Sequence, residues 1–227
     1  MSRILAVVTN QATYGTNHHR TGLWIGELVH FYDGVRRAGF EVDIVSPGGG
    51  QVPLDPRSTR WADKEVRDYM SDRAFMSSLD HTSKAADVDP ARYAAIFYTG
   101  GHGVMWDFPS DTALQQAARE IYENGGVVSS VCHGACGLLD ITLSDGSLLV
   151  DGRTVTGFST AEERVAMVKR RVPFLLEDEL RKRGAHYVRH TIPMAPFATA
   201  DGRLVTGQNP YSTKAVTARL IETLHRL

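Results

Sequence analysis

The strongest chemical signal in the chain is the run from Val127 to Leu139, VVSSVCHGACGLL, in which an apolar stretch leads directly into Cys132. Ser130, Gly134, Ala135 and Gly137 keep its neighbours small. This is the small-x-nucleophile-x-small pattern of a nucleophile elbow. There a sharp strand-to-helix turn strains the nucleophile's backbone and lets other backbone approach closely. In the first turn of the helix that follows, the helix dipole is expected to favour a thiolate. Such settings lower a free cysteine's pKa from about 8.5 to between ~3.5 and ~7.5. The competing reading is an inert core cysteine. His133 comes next. Its ring suits a general base near neutral pH, and its backbone N–H suits an oxyanion donor. The alternative for its side chain is a solvent-facing helix position.

Other candidates are scattered along the chain. Thr99 to Pro109, TGGHGVMWDFP, carries Gly100 and Gly101, which permit close backbone approach and a second oxyanion donor. His102, Trp106 and Asp107 of the same loop are expected to form a pocket wall; a purely structural turn is the alternative. Glu27 falls near the apolar side of a helical pattern with Leu23, Trp24 and Phe31, where a carboxylate needs a partner or a proton. Spacing alone favours a solvated surface glutamate. Glu162 and Glu163 are candidates to orient His133 as the acid of a triad, or else the acidic first turn of a helix starting near Thr160. Spacing does not choose between them. Cys136 reads as a small buried residue. His18-His19 reads as surface loop, and no zinc spacing is present. Gly48-Gly49-Gly50 leads into no G-x-G-x-x-G helix start, so dinucleotide binding is not indicated.

The elements that must position these residues alternate in type. Strand-like runs cover Ile4 to Thr9, Val42 to Val45, Ala94 to Tyr98 and Val127 to Val131. Thr154 to Phe158 and Arg203 to Thr206 each follow an Asp-Gly pair (Asp151-Gly152 and Asp201-Gly202), which predicts a hairpin at both. Helical patterns cover Leu23 to Arg37, Ala113 to Asn124 with Asp111 as N-cap, Pro173 to Arg183 and Thr213 to Leu227. Alternation of this kind predicts an α/β fold, a parallel sheet covered on both faces, with ligands bound beyond the carboxyl ends of the strands. Asp55 to Asp89 is charged and weakly periodic. It is expected to be an inserted helical cover within one domain spanning 1–227.

Composition excludes several classes. The chain has 227 residues, 42% apolar and 22% charged, with a net charge of −1. That is ordinary globular composition, with no field favouring nucleic acid or an anionic membrane. Two cysteines four apart cannot form a disulfide framework. The N-terminal apolar run is too short for a membrane span. A reducing cytoplasm is the expected location.

Taken together, the motifs resemble the ThiJ/PfpI superfamily, with its class I glutamine amidotransferase-like fold, and within it the branch of glyoxalase III and heat-shock chaperone-like proteins. The resemblance rests on Thr21-Gly22-Leu23-Trp24-Ile25-Gly26-Glu27-Leu28, Ser46-Pro47-Gly48-Gly49-Gly50 and Pro53-Leu54-Asp55-Pro56. It continues through Gly100-Gly101-His102-Gly103, Met105-Trp106-Asp107, Val131-Cys132-His133-Gly134 and Thr156-Gly157-Phe158-Ser159 with Glu162-Glu163. Pro173 to Glu177 and Leu204 to Pro210 complete it. Gly26, Phe31 and Ala135-Cys136 depart from the family pattern; none removes a catalytic group, and Gly26 and Phe31 bear on pocket shape and substrate range.

The resemblance implies a flavodoxin-like three-layer α/β/α sandwich. It implies Cys132 as nucleophile, His133 as its catalytic neighbour, Glu27 contacting the thiol, Glu163 orienting His133, and backbone oxyanion donors at Gly101 and His133. The expected activity is conversion of 2-oxoaldehydes such as methylglyoxal to 2-hydroxy acids without glutathione, in a pocket with Trp24, His102, Trp106 and Asp107. No cofactor or metal is implied. The partner is a small aldehyde and the assembly a homodimer. Relatives leave open a holding chaperone, a deglycase or amidohydrolase, and a redox sensor at Cys132.

Overall fold

The computed structural model describes residues 2–16 and 18–227. Apolar, β-branched runs form the central strands: β1 (Arg3–Val7), β2 (Glu41–Ser46), β4 (Tyr93–Tyr98) and β5 (Val127–Val131). With β3 (Ser83–Lys84), β8 (Ala198–Asp201) and β9 (Leu204–Gly207) they build one seven-stranded sheet, ordered β3-β2-β1-β4-β5-β9-β8. Every pairing in it is parallel except β8 with β9. β1 and β5 are buried throughout or nearly so, as continuous hydrophobic runs require, while β2, nearer the sheet edge, is buried only at Val45 and Ser46.

Successive strand side chains point to opposite faces. In β4, Phe97 stacks on Phe31 of α1 (Ile25–Arg37), with ring centroids 3.6 Å apart. The adjacent Tyr98 donates its hydroxyl to the Leu114 carbonyl of α6 (Thr112–Glu123) at 3.0 Å. Helices α1 and α6 therefore cover opposite faces, and α9 (Thr213–His225) packs beside α1. The result is a three-layer α/β/α sandwich. Asp111 caps α6 by accepting from Leu114 N at 2.8 Å, as the sequence predicts.

Residues 55–89 fold as α2 (Pro56–Arg60), α3 (Lys64–Ser71) and α4 (Arg73–Asp80), then return through β3 to the sheet edge. Their Val66, Phe75 and Leu79 share a hydrophobic cluster with Ala6 of β1, with Val8 just after it, and with Leu28 and Val29 of α1. α1 itself begins at Ile25 rather than Leu23, because Leu23 is drawn into a bridge with Leu54.

One predicted hairpin forms and the other does not. Asp201-Gly202 turns β8 back onto β9. After Asp151-Gly152, β6 (Thr154–Val155) instead pairs parallel with β7 (His186–Tyr187), across α8 (Leu176–Lys182). The local turn chemistry is met, but the pairing partner comes from a distant segment. α5 (Val104–Asp107) follows β4, and α7 (Thr160–Val165) precedes α8.

Candidate active site

The chain leaves β5 at Val131 and turns at once into a 3-10 run, Cys132–Leu138. Cys132 sits at φ 58°, a left-handed conformation that side chains rarely adopt. The small neighbours are required by packing: a Cβ on Gly134 would stand 2.3 Å from the Tyr98 carbonyl oxygen. A Cβ on Gly100 would lie 3.0 Å from both Cys132 Cβ and His133 N, so the β4 loop presses directly on the turn. Gly101, at φ 103°, is wedged as tightly, with its Cβ direction 2.2 Å from the Gly22 carbonyl oxygen. The backbone at Gly100 and at His133 is thereby brought close beside Cys132, while Gly101 is wedged against Gly22 and Trp24.

Cys132 is 3% exposed. Its Sγ lies 3.3 Å from His133 Nδ1, and His133 Nε2 lies 2.7 Å from Glu163 Oε1. The His133 ring is held between Phe158 and His102, at centroid distances of 4.4 and 4.0 Å. Opposite stands Glu27, fully buried. Its Oε2 accepts from Gly100 N at 2.6 Å and its carboxyl faces the thiol. Burial raises Glu27 from 4.5 to about 8, so it is protonated at neutral pH. A surface glutamate, the outcome that spacing favours, is not what the fold makes of it. Burial also pushes the Cys132 thiol up, and the nearby Glu27 adds to this. Both effects oppose the thiolate expected from the helix dipole. A single N–H, that of His133, offsets too little of the desolvation.

The two neighbouring glutamates of α7 have different tasks. Ser159 caps the helix and forms a capping box with Glu162. Glu162 Oε1 accepts from Met194 N, Gln208 Nε2 and Asn209 Nδ2, each at 2.9 Å. Its Oε2 accepts from Ser159 N at 2.9 Å and Ser159 Oγ at 2.8 Å. Five donors thus bind one buried carboxylate, which pins α7 to the loop after β9. Glu163 points the other way, to His133. Burial opposes its ionisation, but the neighbouring His133 and hydrogen bonds from His102 and His133 outweigh that and hold it well below the usual carboxylate range.

The remaining candidates lie elsewhere than a single pocket wall. His102 is buried inside the cluster, its Nε2 3.3 Å from Glu163 Oε2. Trp106 packs edge-on against Tyr14, at 5.8 Å. Asp107 turns away and accepts from Thr9 Oγ1 at 2.6 Å and Asn10 N at 2.8 Å, tying α5 to the end of β1. Trp24 does line a cavity of about 280 Å³, together with Trp61, Tyr211, His30 and Lys214. That cavity is bounded by none of Cys132, His133 or Glu163. His102, His133 and Glu163 bring three nitrogen and oxygen atoms within 4.8 Å of one another, and hydrogen bonds among these residues take up that space.

Sequence reasoning misses Arg57, Asp55 and Tyr14. Arg57 Nη2 lies 3.0 Å from His102 Nδ1, 2.7 Å from the Tyr14 hydroxyl and 2.9 Å from Asp55 Oδ2. The available signal is Asp55-Pro56, an N-cap followed by proline at the first helical position. It marks a helix start in a segment whose periodicity is weak.

Comparison with known proteins bears on this arrangement. Glyoxalase 3 of Candida albicans is 31% identical over 220 residues, 92% of each chain. The glutathione-independent glyoxalase HSP31 of Saccharomyces cerevisiae is 32% identical over 232 residues, 97% of each. The crystal structure of the Rapid Encystment Protein 24 KDa of Francisella tularensis superposes with a TM-score of 0.95 at 32% identity, covering 99% of both chains. A family model matches residues 25–223, a span that contains the elbow, Glu27, His102 and Glu163. The chain belongs to the DJ-1/PfpI family.

Proposed function

We propose that this protein is a glutathione-independent glyoxalase that converts 2-oxoaldehydes such as methylglyoxal to 2-hydroxy acids. The observation that carries the reading is the line Cys132 Sγ, His133 Nδ1 at 3.3 Å, and Glu163 beyond His133 Nε2 at 2.7 Å, with a protonated Glu27 on the other side of the sulfur. The curated relatives named as glyoxalases over nearly their full length support it.

The chemistry balances without an external oxidant. His133 Nδ1 takes the Cys132 thiol proton as Sγ bonds to the aldehyde carbon. The N–H groups of Gly101 and His133 stabilise the oxyanion, which then takes the proton back from His133 to give the hemithioacetal and leave the imidazole neutral. His133, held by Glu163, removes the proton from that carbon, and the second carbon receives one through an enediol. The first carbon is thereby oxidised to the thioester level while the neighbouring ketone is reduced to an alcohol. Water then cleaves the thioester, releasing the 2-hydroxy acid and restoring the thiol. Glu27, neutral near pH 7, serves as the proton donor beside the reacting oxygen and sulfur. The helices of residues 55–89 act as a cover within a single domain, and α2 among them brings Arg57 to His102 beside the site.

The test is incubation of the purified protein with methylglyoxal and no added thiol, followed by a lactate assay. Lactate formation that disappears in Cys132→Ala is expected. Absence of turnover, or undiminished turnover by Cys132→Ala, removes the reading. We further read the chain as a cytoplasmic homodimer. Its two free cysteines suit a reducing compartment, and sedimentation velocity at micromolar concentration decides the oligomeric state. Among the described residues, no helix is long and apolar enough to cross a membrane.

A further inference from the structure

We propose that Arg57, supplied by α2 of the inserted segment, acts through His102 as a positioning residue that fixes how protons are distributed over His102, Glu163 and His133. The functional consequence rests on the glyoxalase reading above, while the proton distribution itself does not.

The inference follows from donor counting. A guanidinium has only donors. Arg57 Nε and Nη2 grip the Asp55 carboxylate side-on, at 3.1 Å to Oδ1 and 2.9 Å to Oδ2. The other Nη2 hydrogen then points between the Tyr14 oxygen at 2.7 Å and His102 Nδ1 at 3.0 Å. His102 Nδ1 therefore faces a cationic donor and must be the bare, accepting nitrogen. A neutral imidazole has one N–H, so its proton sits on Nε2 and points to Glu163 Oε2 at 3.3 Å. The other tautomer sets donor against donor at Arg57 and acceptor against acceptor at Glu163. The imidazolium sets two cations 3.0 Å apart.

The consequence travels one step further. Glu163 accepts from His102 at Oε2 and from His133 at Oε1, so both oxygens are spoken for and the carboxylate cannot swing. With its Nε2–H committed to Oε1, a neutral His133 leaves Nδ1 bare toward Cys132 Sγ. That is the nitrogen that must receive the thiol proton. A ring whose Nε2 carries the proton also has no lone pair there for a metal ion, so the same lock keeps the three clustered atoms from acting as a metal site.

The charged and titratable groups facing His102 are Arg57 from α2, Tyr14 from the loop after β1, Glu163 from α7 and His133 from the elbow. Burial first, then His133 and Arg57, lower His102 to about 4, so it stays neutral over the working range of the enzyme. Arg57 is the member of this set whose loss frees the Nδ1 position for a proton.

The test uses the full chain labelled with nitrogen-15 in its histidine rings. Long-range proton–nitrogen spectra distinguish a bare ring nitrogen from a protonated one. In the wild type, His102 is expected to show a bare Nδ1 and a protonated Nε2, unchanged from pH 5 to 8. A protonated Nδ1 there overturns the proposal whether or not any variant folds. In Arg57→Met, His102 is expected to gain a proton at Nδ1 or to titrate within that range. Its kcat on methylglyoxal should fall about ten- to hundredfold with KM little changed, and the acid limb of the kcat/KM profile should move to higher pH. Arg57→Lys, still a cation that only donates, should restore the wild-type His102 spectrum and pH profile even where the rate stays low. An Arg57→Met protein with wild-type ring nitrogens and an unshifted profile overturns the proposal. Because the spectra need no substrate, a failure of the glyoxalase reading leaves this result separately readable.

Discussion

Replacing Glu27 by glutamine should stabilise the protein, by an amount that depends on pH in a calculable way. The folded state raises Glu27 from 4.5 to about 8 because its carboxyl is fully buried. A raised carboxyl pKa means that the folded state holds its proton over a range in which the unfolded chain has lost it. The stability tied to this proton is complete below about pH 4.5 and is lost as the pH rises toward about 8. Each pH unit in that window costs about 1.4 kcal/mol, so the wild type forfeits about 3 kcal/mol by pH 7 and about 5 kcal/mol above pH 8. Glutamine has the same shape and no charge to suppress. Its carbonyl oxygen can keep the Gly100 N–H that Oε2 now accepts, and its amide can face Cys132. The two proteins should therefore unfold at similar urea concentrations near pH 4.5. Their midpoints should diverge steadily as the pH rises, Glu27→Gln being the more stable by about 3 kcal/mol at pH 7. Other titrating groups are common to both proteins and cancel in the difference. The burial argument for a neutral Glu27 fails if the difference in unfolding free energy is flat between pH 5 and 8, or if glutamine destabilises at pH 7. Lactate formation should be slower in Glu27→Gln even as the fold gains stability, because an amide is a far weaker acid.

Two further substitutions examine the scaffold around the site. Glu162→Gln can satisfy the three donors now at Oε1 but turns an N–H₂ toward the Ser159 N–H, losing two charge-assisted bonds. A loss of about 3 kcal/mol is expected in urea unfolding, with reduced activity because Glu163 rides on the same helix; a loss under about 1 kcal/mol argues against a structural carboxylate. Gly134→Ala places a methyl 2.3 Å from the Tyr98 carbonyl oxygen. Displacing strand backbone should cost about 3 kcal/mol and lower the melting temperature by about 9 °C, and an unchanged melting curve shows that the elbow has slack.

The sequence reveals what is contiguous and hides what is assembled. The elbow is legible because strand, nucleophile and small neighbours occupy one short run, and α6 because its cap and its periodicity agree. Glu27 is not legible from spacing, because the N–H that justifies its burial belongs to Gly100, 73 residues away. Glu162 and Glu163 are adjacent in sequence, yet consecutive helix positions point about 100° apart. One therefore meets the loop after β9 and the other meets His133. Asp151-Gly152 signals a turn correctly and a hairpin wrongly, since the choice of strand partner lies outside the local window. The resemblance to a family supplies the assignments for Glu27 and Glu163 that spacing leaves open. It attaches no role to Arg57, whose two partners other than its own cap, Tyr14 and His102, lie 43 and 45 residues away along the chain.

Apart from the adjacent Cys132 and His133, the groups of the site come from distant parts of the chain: the loop after β4 meets α1 and α2, and the elbow meets α7. Loop-closure entropy is overcome late for such non-local contacts. In a refolding experiment, helical signal should therefore return well ahead of turnover. Catalysis would then act as a clock for the final docking of distant segments, timing the moment at which the whole topology has closed rather than the recovery of any one element.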